Sequence, residues 1–201
     1  MTTQTQAGEA GDALLDLDHK VHQAVKGARS KPVVKALGWI SDIGDQPQAR
    51  ALSAGVLVLG VVRGDARMAA AGVRMLVAHE LATAVKSAIK HRIDRKRPRS
   101  ADDKGDEKPE SGQSRDKEES SFPSGHSAGA MALASAFSAV YPAHRLPALA
   151  AAGVVAVAQI PRCAHYPTDV GAGLVIGAAA DGVIGIGWRL VRSAAGFLLR
   201  R

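Results

Sequence analysis

The chain has little cysteine and few aromatic residues. Its single cysteine, Cys163, excludes an internal disulfide and a cysteine-rich zinc site. Phe, Trp and Tyr together make up 3% of the residues, too few for the stacking platforms that bind single-stranded nucleic acid. The 201 residues suffice for one domain, and the net charge of +7 suits anionic partners such as nucleic acid, phospholipid headgroups or phosphate esters.

The N-terminal residues also lack the features of a targeting segment. The stretch MTTQTQAGEAGDALLDLD is acidic and polar, so we expect neither a signal peptide nor a transit peptide. We expect residues 1–12 to be a disordered polar tail. Apolar residues at 14, 17, 21 and 25 then predict an amphipathic helix over 13–29 that lies on a membrane surface. Residues 1–30 would thus form a separate unit before a membrane domain at 31–201.

Apolar blocks rich in Ala, Gly, Val and Leu dominate the rest of the chain. They cover residues 33–45, 49–62, 66–89, 125–141, 146–160 and 168–191. Almost no polar residue interrupts 125–141 or 146–160, and small residues such as Gly173 and Gly177 recur at four-residue spacing, as in helices that pack closely in a bilayer. We predict an all-α, six-helix transmembrane bundle. A soluble Ala-rich bundle is the alternative, because several blocks are shorter than the roughly 20 apolar residues that a span prefers.

One polar insert separates the third and fourth predicted spans. The segment RSADDKGDEKPESGQSRDKEES, residues 99–120, contains eight acidic and five basic residues and only one apolar side chain, an Ala. Such a composition predicts a solvated, mobile loop. Its boundaries are taken as 99–121.

The distribution of basic residues predicts the orientation. Six spans place both chain ends on one side, together with most Lys and Arg outside the insert and its flanks. These are Lys20, Lys26, Arg29, Lys31, Lys35, Arg63, Arg67, Arg145, Arg189, Arg192, Arg200 and Arg201. The positive-inside rule makes that side cytoplasmic, so loops 90–124 and 161–167 face outward, in a bacterial inner membrane.

A first cluster of basic residues, KHRIDRKRP, occupies positions 90–98. Lys90 and Arg97 are seven residues, or two helical turns, apart, so we expect them to share one face of a helix. Pro98 would then end that helix. A stop-transfer flank or a nucleic-acid patch is the alternative.

The same helix carries a stripe of ionisable residues, which within a span usually faces the bundle interior. The stripe is His79, Thr83, Lys86 and Lys90. Asp181, alone in the last apolar block, is its expected counter-ion.

A second cluster, SSFPSGHSAGA, allows two interpretations. GHSAG fits the nucleophile elbow of α/β-hydrolases, with Ser127 as nucleophile. The preceding DKEESSFP is not an apolar strand, however, and residues 127–164 contain no Asp or Glu to complete the triad. The other interpretation begins a helix, with Ser124 as its cap, Gly125 admitting a ligand to the backbone and His126 in the first turn. A helix N-terminus binds anions.

A third cluster, QIPRCAHYPTDVGAG, spans residues 159–173. Pro167 predicts a helix start, with Asp169 in the first turn and His165 just before it. A His–Asp pair four apart is more often a structural hydrogen bond. With His126, however, one His can attack phosphorus while the other protonates the leaving oxygen.

The same two His and the Asp could instead bind a metal. The surrounding cations Lys90, Arg97 and Arg162 disfavour a divalent metal ion. We therefore expect neither a metal nor another cofactor.

In chain order, Lys90-x6-Arg97-Pro98, then Pro123-Ser124-Gly125-His126, then His165-x3-Asp169 resembles the type 2 phosphatidic acid phosphatase family. The likeness covers about residues 33–191. It implies a six-helix membrane bundle and metal-independent hydrolysis of phosphate esters, usually of lipids.

The resemblance also implies residue roles. Lys90 and Arg97 would bind phosphate oxygens, and the Ser124 hydroxyl and the Gly125 N–H would complete the cradle.

For the chemistry, the resemblance implies that His126 is the general acid. His165 would be the nucleophile that forms a phosphohistidine, and Asp169 would fix the tautomer of His165. His79, Lys86, Asp181 and Gln159 would support these groups from just outside the site.

One position departs from the family pattern. The family places an Arg six residues before the nucleophile, after a Ser, whereas this chain has Gln159 after Ala158. Gln keeps hydrogen bonding but brings no charge. Arg162 lies three residues before His165, and we expect Pro161 to interrupt the helix and turn Arg162 inward as the missing guanidinium.

Three functional alternatives follow. The leading hypothesis is an integral-membrane phosphatase acting on a lipid phosphate of the phosphatidic acid or polyprenyl phosphate type. Gln159 favours a non-catalytic lipid-phosphate-binding relative instead, and a soluble vanadate-haloperoxidase-like enzyme would share the pocket. Nucleic-acid binding is not expected, because the basic cluster adjoins an acidic insert and lacks aromatics. The sequence does not predict the oligomeric state.

Overall fold

The computed structural model describes residues 3–101 and 108–198, and this part of the chain is predominantly helical. Its helices are α1 (Thr3–Val25), α2 (Pro32–Ser41), α3 (Gln46–Val62), α4 (Ala66–Lys90), α5 (Gly125–Val140), α6 (Arg145–Val157) and α7 (Pro167–Leu198). Two short strands, β1 (Ile93–Asp94) and β2 (Glu110–Ser111), form an antiparallel pair. The predicted all-α class is therefore correct apart from this ladder.

Five of these helices run between the two ends of the bundle. Asp45 precedes α3 and lies 3.1 Å from His126 at the start of α5, so both helices leave the same end. At the other end, Nη2 of Arg67 donates to the carbonyl of Val140 at 2.6 Å, which joins the start of α4 to the end of α5. Helices α3 to α7 thus alternate in direction.

The short helix α2 does not cross the bundle. Its ten residues span about 15 Å, half the thickness of a bilayer core. The last residue of α2, Ser41, contacts Arg162. On α1, Asp18 contacts Arg95 and Thr168. Helices α1 and α2 therefore both cover the end of the bundle where α5 and α7 begin. Within the described residues α2 is therefore not a span, and the prediction of six spans with both chain ends on one side is not confirmed.

The helix α1 begins at Thr3, whereas the sequence predicted a disordered segment up to residue 12. Leu14 and Leu17 are about half exposed on it, at 51% and 47%. The described residues thus contain helix where a tail was expected. That α1 lies on a membrane surface stays a prediction.

Exposed apolar side chains favour a membrane environment over a soluble bundle. Among the described residues, Ala66–Lys90 and Pro167–Leu190 are long and apolar enough to cross a membrane. Large apolar side chains on α3, α6 and α7 also point outward, such as Val62 (77% exposed), Leu146 (80%) and Val175 (68%). An apolar surface of this kind is costly in water and suits contact with lipid.

Close packing of α7 against α5 positions the start of both helices. A Cβ atom on Gly173 would lie 2.5 Å from the carbonyl oxygen of Ser124, and one on Gly177 would lie 2.4 Å from that of Ala128. Only glycine permits this approach, and the four-residue spacing predicted it. The N-termini of the two helices are thereby held side by side.

The polar insert is partly ordered. Strand β2 pairs with β1, and the backbone N–H groups of Arg95 and Arg97 donate to the carbonyls of Glu119 and Glu118 at 2.7 and 2.8 Å. The described part of the insert therefore folds back along residues 92–97, which corrects the prediction of a wholly mobile loop. Residues 102–107 lie outside the described residues.

The same pairing places Arg97 beyond the helix. Since α4 ends at Lys90 and β1 follows, Lys90 and Arg97 do not share a helix face. The predicted continuation of the helix to Pro98 is wrong.

Candidate active site

His165 lies in the turn between α6 and α7 and is buried, with 2% of its surface exposed. Its Nδ1 is 2.8 Å from the carbonyl oxygen of Ser121. Because a carbonyl only accepts, Nδ1 carries the hydrogen and Nε2 carries the lone pair of the neutral ring. The sequence predicted that Asp169 fixes the tautomer of His165. The Ser121 carbonyl is the nearer acceptor, because Asp169 Oδ2 is 3.8 Å from Nδ1.

The surroundings of His165 oppose its protonation. Burial lowers its pKa to about 4, and the charges of Arg97 and Lys90 act in the same direction. Asp169 opposes them by favouring the imidazolium. The ring is therefore neutral near pH 7, as a nucleophile must be.

Asp169 is held by three donors. Its Oδ1 accepts from Nη1 of Arg95 at 2.6 Å, and its Oδ2 accepts from the Ser121 hydroxyl at 2.5 Å and from the Tyr166 N–H at 2.9 Å. Ser121 thus links the two residues: its hydroxyl donates to Asp169, and its carbonyl accepts from His165. Sequence reasoning missed both Arg95 and Ser121, because nothing in KHRIDRKRP or SSFPSGH separates them from their neighbours.

The N-terminal helix contributes a second carboxylate to this network. Asp18 on α1 is fully buried and accepts from Nη2 of Arg95 at 2.7 Å and from the Thr168 N–H at 3.0 Å. The Thr168 hydroxyl also donates to it. Sequence reasoning missed Asp18, although its position, four residues after Leu14 and three before Val21, places this acid beside the apolar stripe of α1.

Ser124 and Gly125, predicted to cradle an anion, lie at the start of α5. Ser124 caps the helix, since its hydroxyl oxygen accepts from the Ser127 N–H at 3.3 Å, and its own N–H donates to the Asp169 carbonyl at 3.0 Å. A Cβ on Gly125 would lie 3.0 Å from Nζ of Lys86, so this ammonium lies directly against the helix N-terminus. Lys86, predicted only as a supporting residue, is therefore in direct contact with the start of α5.

The cations Lys90 and Arg97 are both held by backbone carbonyls. Lys90 donates to the Ser120 carbonyl, and Arg97 donates through Nε to that of Lys117 at 2.7 Å and through Nη1 to that of Ala164 at 3.3 Å. In the part of the chain that the structure describes, neither has a carboxylate partner. Their charges are therefore oriented without being neutralised, which suits binding of an anion.

His126 faces a different pair of carboxylates. Its Nε2 lies 3.1 Å from Oδ1 of Asp45 and 3.8 Å from Oδ1 of Asp42, which lie just before α3. The ligand atoms of Asp42, Asp45 and His126 all lie within 4.8 Å of one another. Among the described residues, these three side chains form the group that could hold a metal ion. The cations Lys86 and Arg162 lie beside this group and disfavour the binding of a divalent metal ion there.

Arg162 turns inward, but toward α2. Its Nη1 donates to the Ser41 hydroxyl at 2.6 Å and lies 3.5 Å from Oδ1 of Asp42. It thus approaches the site on the His126 side. Gln159 is fully buried in the turn after α6, and its Nε2 donates to the carbonyl of Val155 in the last turn of that helix at 3.0 Å. That Arg162 replaces the missing Arg stays a prediction.

Two of the predicted supporting residues are placed differently. Asp181 forms a two-bond ion pair with Arg74, at 2.7 and 3.1 Å, so its prediction as counter-ion of the Lys86 and Lys90 stripe is wrong. Arg74 is sixteen residues before Lys90 on α4, about 24 Å along the helix. His79 is buried against Gly129 and has no hydrogen bond within the described residues.

The chain is similar in sequence and fold to several known proteins. The family model of the PAP2 superfamily matches residues 71–190. A Lipid A 1-phosphatase of Rhizobium johnstonii is 43% identical over 58 residues, which are 29% of this chain and 24% of that protein. The matched region thus spans about a quarter of that relative's length.

Two solved structures share the fold. Aquifex aeolicus LpxE superposes with a TM-score of 0.59 at 16% identity, covering 82% of this chain and 92% of that one. A transmembrane PAP2 type phosphatidylglycerolphosphate phosphatase from Bacillus subtilis superposes with a TM-score of 0.58 at 17% identity, covering 94% and 88%. At these identities the likeness concerns the fold.

Proposed function

The chain belongs to the PAP2 superfamily, and we propose that it is a metal-independent phosphatase that hydrolyses a membrane lipid phosphate through a phosphohistidine. One observation carries the proposal. A neutral, buried His165 with its lone pair on Nε2 lies beside cations whose charges are not neutralised by a carboxylate. This combination suits nucleophilic attack on a bound phosphate.

The reaction would take two steps. Lys90, Arg97 and the N-terminus of α5 hold the phosphate oxygens while Nε2 of His165 attacks phosphorus. The bond to the leaving oxygen breaks, its electron pair stays on that oxygen, and His126 supplies the proton. Water then attacks the phosphohistidine, giving its proton to His126, and inorganic phosphate leaves as the P–N bond breaks.

The position of the site supports a lipid as the substrate. The cradle lies at the end of a bundle whose flanks are apolar and exposed, so an ester with an apolar body could keep that body in the bilayer. We propose a phosphomonoester or diphosphate of the phosphatidic acid or polyprenyl phosphate type. The relatives named above, a lipid A 1-phosphatase and a phosphatidylglycerolphosphate phosphatase, support a lipid substrate.

The test is phosphate release by purified protein in detergent. We expect release of inorganic phosphate from a short-chain phosphatidic acid, loss of release in His165→Ala, and no effect of EDTA. Brief incubation with ³²P-labelled substrate should trap an acid-labile, base-stable phosphoprotein in the wild type. Binding without release would contradict the proposal and favour the non-catalytic relative, which Gln159 would suit.

We also propose that the protein lies in the bacterial inner membrane with the site facing outward. The turns at the opposite end carry Arg63, Arg67 and Arg145 with Asp65 as the acid among them, so the positive-inside rule favours that end as cytoplasmic. The basic residues of α1 and α2 act against this orientation, because the structure places them at the site end.

Cysteine labelling decides the orientation. In a Cys163→Ser background, a membrane-impermeant maleimide applied to intact spheroplasts should label Gln113→Cys, in the exposed part of the insert, and leave Arg63→Cys unlabelled. The reverse pattern would place the site in the cytoplasm.

A further inference from the structure

A carboxylate accompanies the proposed general acid. Nε2 of His126 lies 3.1 Å from Oδ1 of Asp45, an ion-pair contact rather than an aligned hydrogen bond. We propose that Asp45 is a positioning residue that holds His126 as an imidazolium with its other nitrogen, Nδ1, turned toward the leaving oxygen. This inference rests on the proposed function.

The backbone fixes this contact closely. Gly44, next to Asp45, is buried, and a Cβ atom there would lie 2.7 Å from the carbonyl oxygen of His126. A Cβ on Gly129 would in turn lie 2.6 Å from the carbonyl oxygen of Gly44. Because only glycine allows these approaches, the segment before α3 is seated directly on the first turns of α5.

The charges around His126 explain why it needs a carboxylate. The ammonium of Lys86, from α4, lies against the start of α5, and the charges of Arg162 and Arg97 act on His126 from the two neighbouring loops. This concentration of cations suits phosphate binding, but, together with the burial of the His126 side chain, which is 19% exposed, it disfavours a protonated imidazole. A carboxylate within ion-pair distance favours the charged ring and so keeps a proton available for the leaving oxygen.

Asp45 rather than Asp42 is assigned this role. Asp42 lies 3.8 Å from Nε2 of His126, and its Oδ1 is also 3.5 Å from Nη1 of Arg162, so its charge is shared. Asp45 is the nearer carboxylate. Within the described residues, Nδ1 of His126 has no hydrogen bond, which leaves it for the substrate.

The proton balance is simple. As the phosphorus–oxygen bond breaks, the leaving oxygen takes the electron pair and the proton from Nδ1 of His126. The imidazole that remains is neutral and keeps its hydrogen on Nε2, facing Asp45. In the second step, the attacking water returns a proton to Nδ1.

Leaving groups of different basicity test this role. An alkyl phosphate such as dioctanoyl phosphatidic acid expels a basic alkoxide and needs the acid, whereas p-nitrophenyl phosphate expels a weakly basic phenolate and does not. In Asp45→Asn we expect kcat/KM to fall about tenfold or more on the alkyl ester and less than about threefold on the aryl ester. His126→Ala should show the same selectivity with a larger loss, and Asp45→Glu should restore much of the activity.

The pH profile gives a second readout. Without the carboxylate, His126 loses its proton more easily, so the basic limb of kcat/KM on the alkyl ester should move to lower pH in Asp45→Asn. Asp12→Asn removes an exposed carboxylate of α1 and should leave both the profile and the substrate ratio unchanged.

The outcomes separate the two proposals. Equal losses on both esters, or no loss on either, would overturn the role of Asp45 while leaving the phosphatase intact. Activity that falls with EDTA and returns with a divalent ion would show that Asp42, Asp45 and His126 hold a metal, and would likewise overturn it. A wild-type protein that hydrolyses neither ester would overturn the proposed function and this role together.

Discussion

Arg95 and Asp169 form a buried ion pair: Nη1 lies 2.6 Å from Oδ1, and the two side chains are 2% and 0% exposed. The second arm of the same guanidinium, Nη2, binds Asp18 of α1 at 2.7 Å. One arginine therefore links the N-terminal helix to the carboxylate that supports the proposed nucleophile. Removing one partner of such a network leaves an uncompensated buried charge.

Loss of the arginine should destabilise the protein strongly. In Arg95→Met both Asp18 and Asp169 would lose their counter-ion, and breaking a buried pair costs about 3–5 kcal/mol. We expect a lower thermal midpoint in detergent and almost no phosphate release. Arg92→Met, an exposed neighbour in the same cluster, is the control and should behave as the wild type. An Arg95→Met protein of unchanged stability would contradict the pairing.

The N-terminal helix should affect catalysis without touching the substrate. Asp18→Asn keeps an acceptor for the Thr168 N–H but removes the charge that holds Arg95, so we expect kcat to fall about tenfold with little change in KM. Asp16→Asn is a matched control, because Asp16 lies on the same helix in an exposed pair with Lys20 that contributes little. Equal kinetics in the two variants would show that α1 has no positioning role.

The acid limb of activity should lie near the low pKa of His165. Burial lowers that pKa to about 4, so the neutral nucleophile persists well below pH 6.5, the midpoint of an unperturbed histidine. We expect kcat/KM on p-nitrophenyl phosphate, corrected for ionisation of the substrate, to hold from about pH 7 to about pH 5 and to fall below about pH 4. A limb centred near 6.5 would mean that the ring is solvated rather than buried.

Arg162 should contribute to turnover if it replaces the family arginine. Its guanidinium reaches Asp42 beside His126, so it could contact a phosphate oxygen on that side. We expect Arg162→Ala to lower kcat/KM about tenfold or more, as loss of a transition-state clamp does. Turnover within about threefold of the wild type would contradict the replacement. Arg145→Ala, at the opposite end of the bundle, provides a comparison for nonspecific loss of charge.

Most of the helices could be predicted from the sequence, because composition and hydrophobic runs are local properties. The blocks at 49–62, 66–89 and 125–141 match α3, α4 and α5 closely. The number of helices that cross the bundle could not be predicted. The composition of an apolar run such as 33–45 is the same whether it spans a bilayer or lies across the end of a bundle. Its contacts with Arg162 show that it does the latter.

The sequence by itself determined the family and the chemical groups, since the order and spacing of Lys90, Arg97, Ser124, His126, His165 and Asp169 are properties of the chain alone. The tertiary structure alone decided which of these groups contact each other. It assigned the support of Asp169 to Arg95 and Ser121, brought Asp45 to His126, and moved Asp181 to Arg74. The physical reason is distance along the chain: contacting partners such as Asp18 and Thr168 are up to 150 residues apart, and only helix packing brings them together.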